Sequence, residues 1–281
     1  MPFAILIPSY NPDEALVELI VSLRQKTETP ILIVNDGSKP ETAPFFAQAQ
    51  EAGADYIAHE QNRGKGAALK TGIAYASSHY SELTGVVTAD GDGQHVADDI
   101  LAVGNALESH PDALILGTRS LRSKNVPFKS RWGNRITTFV FRLTSHRKVL
   151  DTQTGLRGIP SELISTALKI TGDRYEYEMN MLSEMAKADI PFFPVAIQTV
   201  YKDDNKGSHF NAWKDPVRIY LPLLSGFLKM VVVSLLSAAL DLGLFTLFQW
   251  ALWDDSASGL LYSTVSARVL SGIFNFILNK T

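Results

Sequence analysis

Gly85-Val86-Val87-Thr88-Ala89-Asp90-Gly91-Asp92-Gly93-Gln94-His95 runs from a short apolar stretch directly into two carboxylates one residue apart. An apolar run of this length, closed by turn residues, predicts a strand buried on both faces. Asp90 and Asp92 then stand at its carboxyl end, and the flanking glycines leave the main chain open to a ligand. Two carboxylates held so close call for a cation. Their hard oxygen donors suit Mg²⁺ or Mn²⁺, ions that keep waters and bridge to phosphates, so a metal diphosphate is the natural guest. An Asp-Gly surface turn is the plainer reading of the same residues.

The same unit recurs upstream. Residues 3–7 form an apolar run ended by Pro8 and Asn11. Asn11 reads as a helix N-cap and Pro12 as the first helical position, with Leu16, Leu19, Ile20 and Leu23 following at helical spacing. Residues 31–34 predict a second strand, stopped by Asn35-Asp36-Gly37-Ser38; residues 42–52 predict a helix closed by Gly53, and residues 56–58 a third strand. Asn62-Arg63-Gly64-Lys65-Gly66 opens a further helix with Leu69, Ile73 and Ala76 on one side. Further on, 114–116 and 195–201 read as strands, and 131–143 and 175–188 as helices. Alternating strands and helices imply an α/β fold with a doubly wound, mostly parallel sheet. Such sheets bind ligands beyond the carboxyl ends of their strands, where Ser9-Tyr10-Asn11, Asn35-Asp36 and residues 90–94 converge.

On that rim Asp36 is suited to accept hydrogen bonds from a base N–H or a ribose hydroxyl, unless it merely closes a turn. Lys65 opens a helix whose free N–H groups and positive dipole end favour phosphate. Gly64-Lys65-Gly66 matches neither G-x-x-x-x-G-K-[ST] nor G-x-G-x-x-G, which argues against a P-loop kinase and a Rossmann dehydrogenase. The 281 residues include no Cys, so disulfides, thiolate zinc sites and cysteine nucleophiles are excluded. A net charge of −3 gives no footprint for nucleic acid. The amino terminus has no basic n-region and Pro8 breaks its apolar run, so the first domain is expected in the cytosol.

Charge is unevenly spread. Residues 219–281 hold six charged side chains in 63 positions, namely Lys229, Asp241, Asp254, Asp255, Arg268 and Lys280. A soluble domain over 1–218 and a membrane domain over 219–281 are therefore expected, with spans near 227–250 and 260–278. Lys214, Arg218, Lys229 and Lys280 fall on one side, against Asp254 and Asp255 in the intervening loop, which returns both ends to the cytosol in a multi-pass arrangement. Asp241 and Arg268 lie near mid-span and are expected to pair. Around the helix at 131–143, Arg131, Arg142 and Arg135 fall within about 40° of one another, beside a stripe of Phe139, Trp132, Leu143, Ile136 and Val140. That is the pattern of an interfacial helix near 130–143 on an anionic membrane, able to present Arg119 and Arg131 to a lipid phosphate; an ordinary amphipathic surface helix is the alternative.

Four motifs carry a resemblance. Ile7-Pro8-Ser9-Tyr10-Asn11, Val34-Asn35-Asp36-Gly37-Ser38, Asn62-Arg63-Gly64-Lys65-Gly66 and Asp90-Gly91-Asp92-Gly93-Gln94, in that order, resemble family 2 glycosyltransferases over roughly residues 3 to 210. They are most similar to polyprenyl-phosphate sugar synthases of the dolichyl-phosphate mannose synthase type. The resemblance implies a GT-A fold, a UDP-sugar donor with glucose favoured, and inverting transfer to undecaprenyl or another polyprenyl phosphate. It implies Pro8, Tyr10, Asn11, Asp36, Lys65 and Ala89 at the nucleotide sugar, and Asp90, Asp92 and Gln94 at the metal and diphosphate. Gly117-Thr118-Arg119 and Asp151-Thr152-Gln153-Thr154-Gly155-Leu156-Arg157 look similar to the acceptor region. There Asp151 joins Asp92 as a catalytic carboxylate or else caps a turn, and Arg119, Arg131, Arg135 and Arg157 meet the acceptor phosphate, Arg157 alternatively pairing with Asp151. Glu176 and Glu178 resemble an acidic pair near the sugar, and 201–210 the late acceptor loop with Lys206 reaching the diphosphate.

The carboxyl-terminal segment resembles the first half of a four-span GtrA-like domain, which implies a shortened chain and makes a homo-oligomer an expectation for two bare spans. Two other functions share these features. A processive polysaccharide synthase is disfavoured because its Gln-x-x-Arg-Trp motif is absent, and a non-catalytic lipid-carrier or scaffold protein is disfavoured by the intact Asp90, Asp92 and Lys65.

Overall fold

The apolar run at the amino end folds as β1 (Ala4–Ser9), the centre of a parallel block in a computed structural model that describes residues 3–119, 128–145, 147–198, 214–252 and 256–280. Its contacts divide the chain into two units, Met1–Ile219 and Tyr220–Thr281. β1 pairs in parallel with β2 (Ile31–Asn35) on one side and β4 (Gly85–Thr88) on the other, and β3 (Asp55–Ala58) extends the sheet from β2. β6 (Arg157–Pro160) runs antiparallel between β4 and β5 (Leu114–Arg119), and β7 (Phe192–Ile197) lies parallel to β5. The order is β3-β2-β1-β4-β6-β5-β7. Ile5, Ile7, Ile31, Ile33 and Val87 are wholly out of water, which is what continuous aliphatic runs achieve in a sheet covered on both faces.

Two helices and a strand are not marked by the sequence pattern, and several boundaries move. β6 is Arg-Gly-Ile-Pro, with a single aliphatic side chain, yet all four residues are buried because neighbours on both sides take up its main chain. The helices α4 (Ala97–Ser109) and α6 (Ser161–Lys169) are likewise unmarked; they join α1 (Glu14–Arg24), α2 (Ala43–Glu51), α3 (Lys65–His79), α5 (Phe128–Ser145) and α7 (Glu176–Lys187). β7 begins three residues ahead of the expected 195, and the expected residues 199–201 lie outside the described residues. The N-cap of α1 is Asp13, whose carboxylate accepts from Ala15 N at 3.0 Å, and not Asn11. Asn11 instead adopts a left-handed φ of 50°, a conformation Asn tolerates better than most residues. There its N–H donates to Ser38 Oγ and its Oδ1 accepts from Lys39 N, both at 2.9 Å, so the loop after β1 is clamped to the loop after β2.

The second unit contains most of α8 (Lys214–Ala251) and all of α9 (Ala257–Lys280). Within them Leu228–Ala251 and Ala257–Asn279 are each long and apolar enough to cross a membrane. Their packing is inverted relative to a soluble protein: Ser237, Ser263, Ala267 and Ser271 are buried, while Leu235, Leu242, Trp250 and Phe276 face outward. Asn275 Nδ2 donates to Ser237 Oγ at 3.0 Å and Ser271 Oγ to Asp241 Oδ1 at 2.9 Å. The expected pair is present, with an Arg268 guanidinium nitrogen 3.5 Å from Asp241 Oδ2. Reversing the charge at either residue alone is expected to lower the yield of monodisperse detergent-solubilised protein, and reversing both to restore it. Equal loss in all three variants would show that the pair contributes nothing to assembly.

Candidate active site

Three loops meet at the carboxyl ends of β1, β2 and β4. Asp90 follows β4, and its main-chain N–H donates to His95 Nδ1 at 3.0 Å, which closes the turn 90–95 on itself. Asp92 stands at the open side of this turn, where its two oxygens accept from Gln94 N and Gln94 Nε2, each at 3.0 Å. Lys65, the first residue of α3, places its ammonium 2.7 Å from Asp90 Oδ1 and 3.0 Å from Glu178 Oε2 on α7. Burial disfavours the charge on Asp90, but Lys65, with His95 and Arg119 beyond it, outweighs burial and holds the carboxyl at about 2. Burial likewise works against the Lys65 ammonium, and its two carboxylate partners more than compensate, raising its pKa above the ordinary lysine value. Desolvation by the turn, followed by the charge of Asp90, pushes Asp92 up to about 6.

Asp36 is held by the loop before α3. Its carboxylate accepts from Arg63 N at 2.8 Å and His59 Nδ1 at 2.8 Å on Oδ1, and from Asn62 Nδ2 at 2.9 Å and Gly64 N at 2.7 Å on Oδ2. These four contacts enclose the carboxylate, and the residue is 3% exposed. Of the amides around the start of α3, those of Arg63 and Gly64 go to Asp36 and that of Ala67 to Asp173 O at 3.0 Å. Pro8 and Tyr10 are half-buried on the rim, while Ala89 is buried with its N–H on Leu6 O.

On the acceptor side Arg119, the last residue of β5, grips Asp151 through two bonds, Nε to Oδ2 at 2.6 Å and a terminal nitrogen to Oδ1 at 3.1 Å. Asp151 Oδ1 also accepts from Gln153 N at 3.1 Å, so turn cap and charged partner are one residue's two tasks. The turn is pinned by α5: Asn134 Oδ1 accepts from Thr152 N at 3.2 Å, and Gln153 Nε2 donates to Thr137 Oγ1 at 3.3 Å. Arg157 is 1% exposed and its guanidinium donates to the carbonyls of Thr154 and Glu178, while Arg119 takes the pairing with Asp151. The acidic pair also divides, for Glu176 Oε1 accepts from Asp173 N and Arg174 N at its own helix start while Glu178 reaches Lys65.

The described inward face of α5 carries Asn134, Thr137 and Phe141, whereas Arg135, Phe139, Arg142 and Leu143 are exposed. The side chains of Arg131, Trp132 and Ile136, and the whole of 201–210 with Lys206, lie outside the described residues.

Comparison with known proteins gives this arrangement a context. The family model described as Glycosyl transferase family 2 matches residues 4–166. A protein of Methanococcus voltae named UDP-N-acetylglucosamine–dolichyl-phosphate N-acetylglucosaminyltransferase is 28% identical over 217 residues, 71% of this chain and 86% of that one. The dolichyl-phosphate beta-glucosyltransferase of Dictyostelium discoideum is 26% identical over 257 residues, covering 81% and 76% respectively. Among solved structures, glucosyl-3-phosphoglycerate synthase of Mycobacterium tuberculosis, crystallised with Mn²⁺, UDP-glucose and phosphoglyceric acid, superposes with a TM-score of 0.58 at 17% identity, covering 80% of this chain and 79% of that one. The sheet order and its mixed, mostly parallel pairing are those of a GT-A fold.

Proposed function

The chain belongs to glycosyl transferase family 2, and from that premise we propose that it moves a hexose, glucose favoured, from a UDP-sugar to undecaprenyl or a related polyprenyl phosphate at the cytoplasmic face of a membrane. The observation that carries the reading is Lys65 held between Asp90 and Glu178, beyond the end of a buried strand and beside the Arg119–Asp151 pair. One cationic group is thereby aimed at a donor diphosphate and another at an acceptor phosphate. Pro8 and Tyr10 line the rim for the nucleotide. Relatives named for dolichyl-phosphate acceptors, two apolar helices of spanning length and the outward apolar and basic residues of α5 all support a lipid acceptor. The two helices are read as part of a GtrA-like membrane domain.

Asp90 and Asp92 fit a divalent cation. Both donors are carboxylate oxygens, and burial, followed by the charge of Asp90, disfavours the ionised form of Asp92 in a way that a bound cation would offset. Bound there, Mg²⁺ or Mn²⁺ supplies neutralisation of the departing diphosphate. Lys65 adds its charge on the same side, with Gln94 holding Asp92 in place. An oxygen of the acceptor phosphate bonds to the anomeric carbon as the bond from that carbon to the diphosphate oxygen breaks on the opposite face, so configuration inverts. With a second pKa of about 6 the acceptor is already largely ionised. Asp151 therefore positions Arg119 and abstracts no proton.

Membranes containing the chain, given undecaprenyl phosphate and radiolabelled UDP- or GDP-sugars, are expected to yield acid-labile label in the organic phase with Mn²⁺ and none with EDTA. Metal-dependent UDP binding with no lipid label from any donor would replace this reading with a non-catalytic carrier.

A further inference from the structure

The donor and acceptor halves of the site touch at Gly155, a residue outside both the carboxylate pair and the Arg119–Asp151 pair. Gly155 is buried in the turn that runs from Asp151 into β6. A Cβ there would overlap Asp90 Oδ2 and would lie 3.0 Å from Asp90 Cγ and 3.2 Å from Oδ1. A position takes glycine for a left-handed backbone or for a close approach. The φ of Gly155 lies outside the left-handed region, so close approach is the reason, and the group that approaches is a carboxylate of the proposed metal pair.

Both sides of this contact are fixed. The Gly155 carbonyl accepts from the buried Thr88 Oγ1 at 2.9 Å, and its neighbours are held as well, Leu156 O by Gly117 N at 2.9 Å and Thr154 O by Arg157 Nε at 3.0 Å. Opposite them, the Asp90 N–H is engaged by His95 Nδ1, and Asp90 Oδ1 meets the Lys65 ammonium at 2.7 Å. A short side chain with its main chain so held can escape a new Cβ only by rotating its carboxylate, and that rotation breaks the Lys65 contact. The same turn carries Asp151, the partner of Arg119. One segment therefore backs the metal carboxylate and orients the acceptor cation.

We infer that Gly155 is a positioning residue for the metal site, its bare Cα seating the Asp90 carboxylate in the orientation that Lys65 and a divalent cation share. The inference rests on the transferase reading above, through the Asp90–Asp92 pair.

The experiment measures, on the full chain in detergent, affinity for Mn²⁺·UDP and the thermal midpoint without metal. Gly158 on β6 supplies the control, since a Cβ there has apolar side chains as its nearest neighbours, Ile115 Cβ at 3.0 Å and Leu107 Cδ2 at 3.1 Å. Gly155→Ala is expected to weaken Mn²⁺·UDP at least about tenfold, the loss typical when a residue supporting a metal ligand is changed, and Gly158→Ala less than about twofold, even if both lower the midpoint. The midpoint identifies the cause: the loss on Gly155→Ala is expected to shrink by more than about half in an Asp90→Ala background, where no carboxylate meets the new Cβ. If Gly155→Ala alone does not fold, recovery of folded protein on adding Asp90→Ala supports the contact, and no recovery overturns it. Unchanged Mn²⁺·UDP affinity in Gly155→Ala, an equal loss of affinity in Gly158→Ala, or a midpoint loss undiminished by Asp90→Ala overturns the inference alone. A wild-type chain that does not bind Mn²⁺·UDP overturns the transferase reading and the inference with it.

Discussion

Asp92→Asn is expected to lower the rate of sugar transfer at least about a hundredfold, the loss typical when one preorganised electrostatic contact to a developing charge is removed. The change alters one oxygen to a nitrogen, so the size of the effect tests charge and donor type with shape held constant. Asp92 sits outside the hydrophobic core and bonds to Gln94 within the same turn, so thermal stability is expected to stay within about 0.5 kcal/mol, as for surface substitutions. Asn also keeps an acceptor for Gln94 N, which preserves the turn. The measurement is a titration of initial rate against Mn²⁺: the variant is expected to need more metal for half-maximal rate and to reach a far lower plateau. Normal transfer by Asp92→Asn would remove Asp92 from the metal site.

What could be read in the sequence divides along a physical line. β1, β2 and β4 are legible because a strand covered on both faces must be aliphatic throughout, and nothing else makes Ile5, Leu6 and Ile7 a stable neighbourhood. The acidic turn after β4 is legible for the same reason, since the strand fixes where Asp90 stands. β6 is hidden because an antiparallel insert between two strands gains its stability from main-chain pairing, which leaves no mark on side-chain hydrophobicity. The orientation of a rim residue is hidden too. Asp36 and Asp90 both stand just past the carboxyl ends of parallel strands that flank β1, but long-range contacts at Arg63, Gly64 and His59 hold Asp36 inward. Glu176 and Glu178 are two residues apart on α7, and whether one or the other reaches Lys65 follows from the docking of that helix. His95 carried a signal that went unused: a histidine five residues past Asp90 in a glycine turn is placed to bond back to the strand end.

The Arg119–Asp151 pair allows the acceptor role to be separated from stability, because its two members are unequally buried. Asp151 is fully enclosed, while the Arg119 side chain retains 18% exposure. Arg119→Met therefore strands a carboxylate in the interior, which costs on the order of 3 kcal/mol and is expected to show as a lower thermal midpoint. Asp151→Asn costs less, since the amide oxygen still accepts from Gln153 N and the guanidinium can turn towards water. Combining the two removes the stranded carboxylate charge and is expected to recover most of the midpoint lost by Arg119→Met. Transfer to polyprenyl phosphate is expected to behave differently: Arg119→Met and the double variant both lose activity about a hundredfold, because neither has a cation for the acceptor phosphate. Asp151→Asn keeps the cation but frees its orientation, so its loss is expected mainly in the KM for the lipid acceptor. Should the double variant recover activity together with stability, the pair would be a structural strut and the acceptor phosphate would have to be held by other groups.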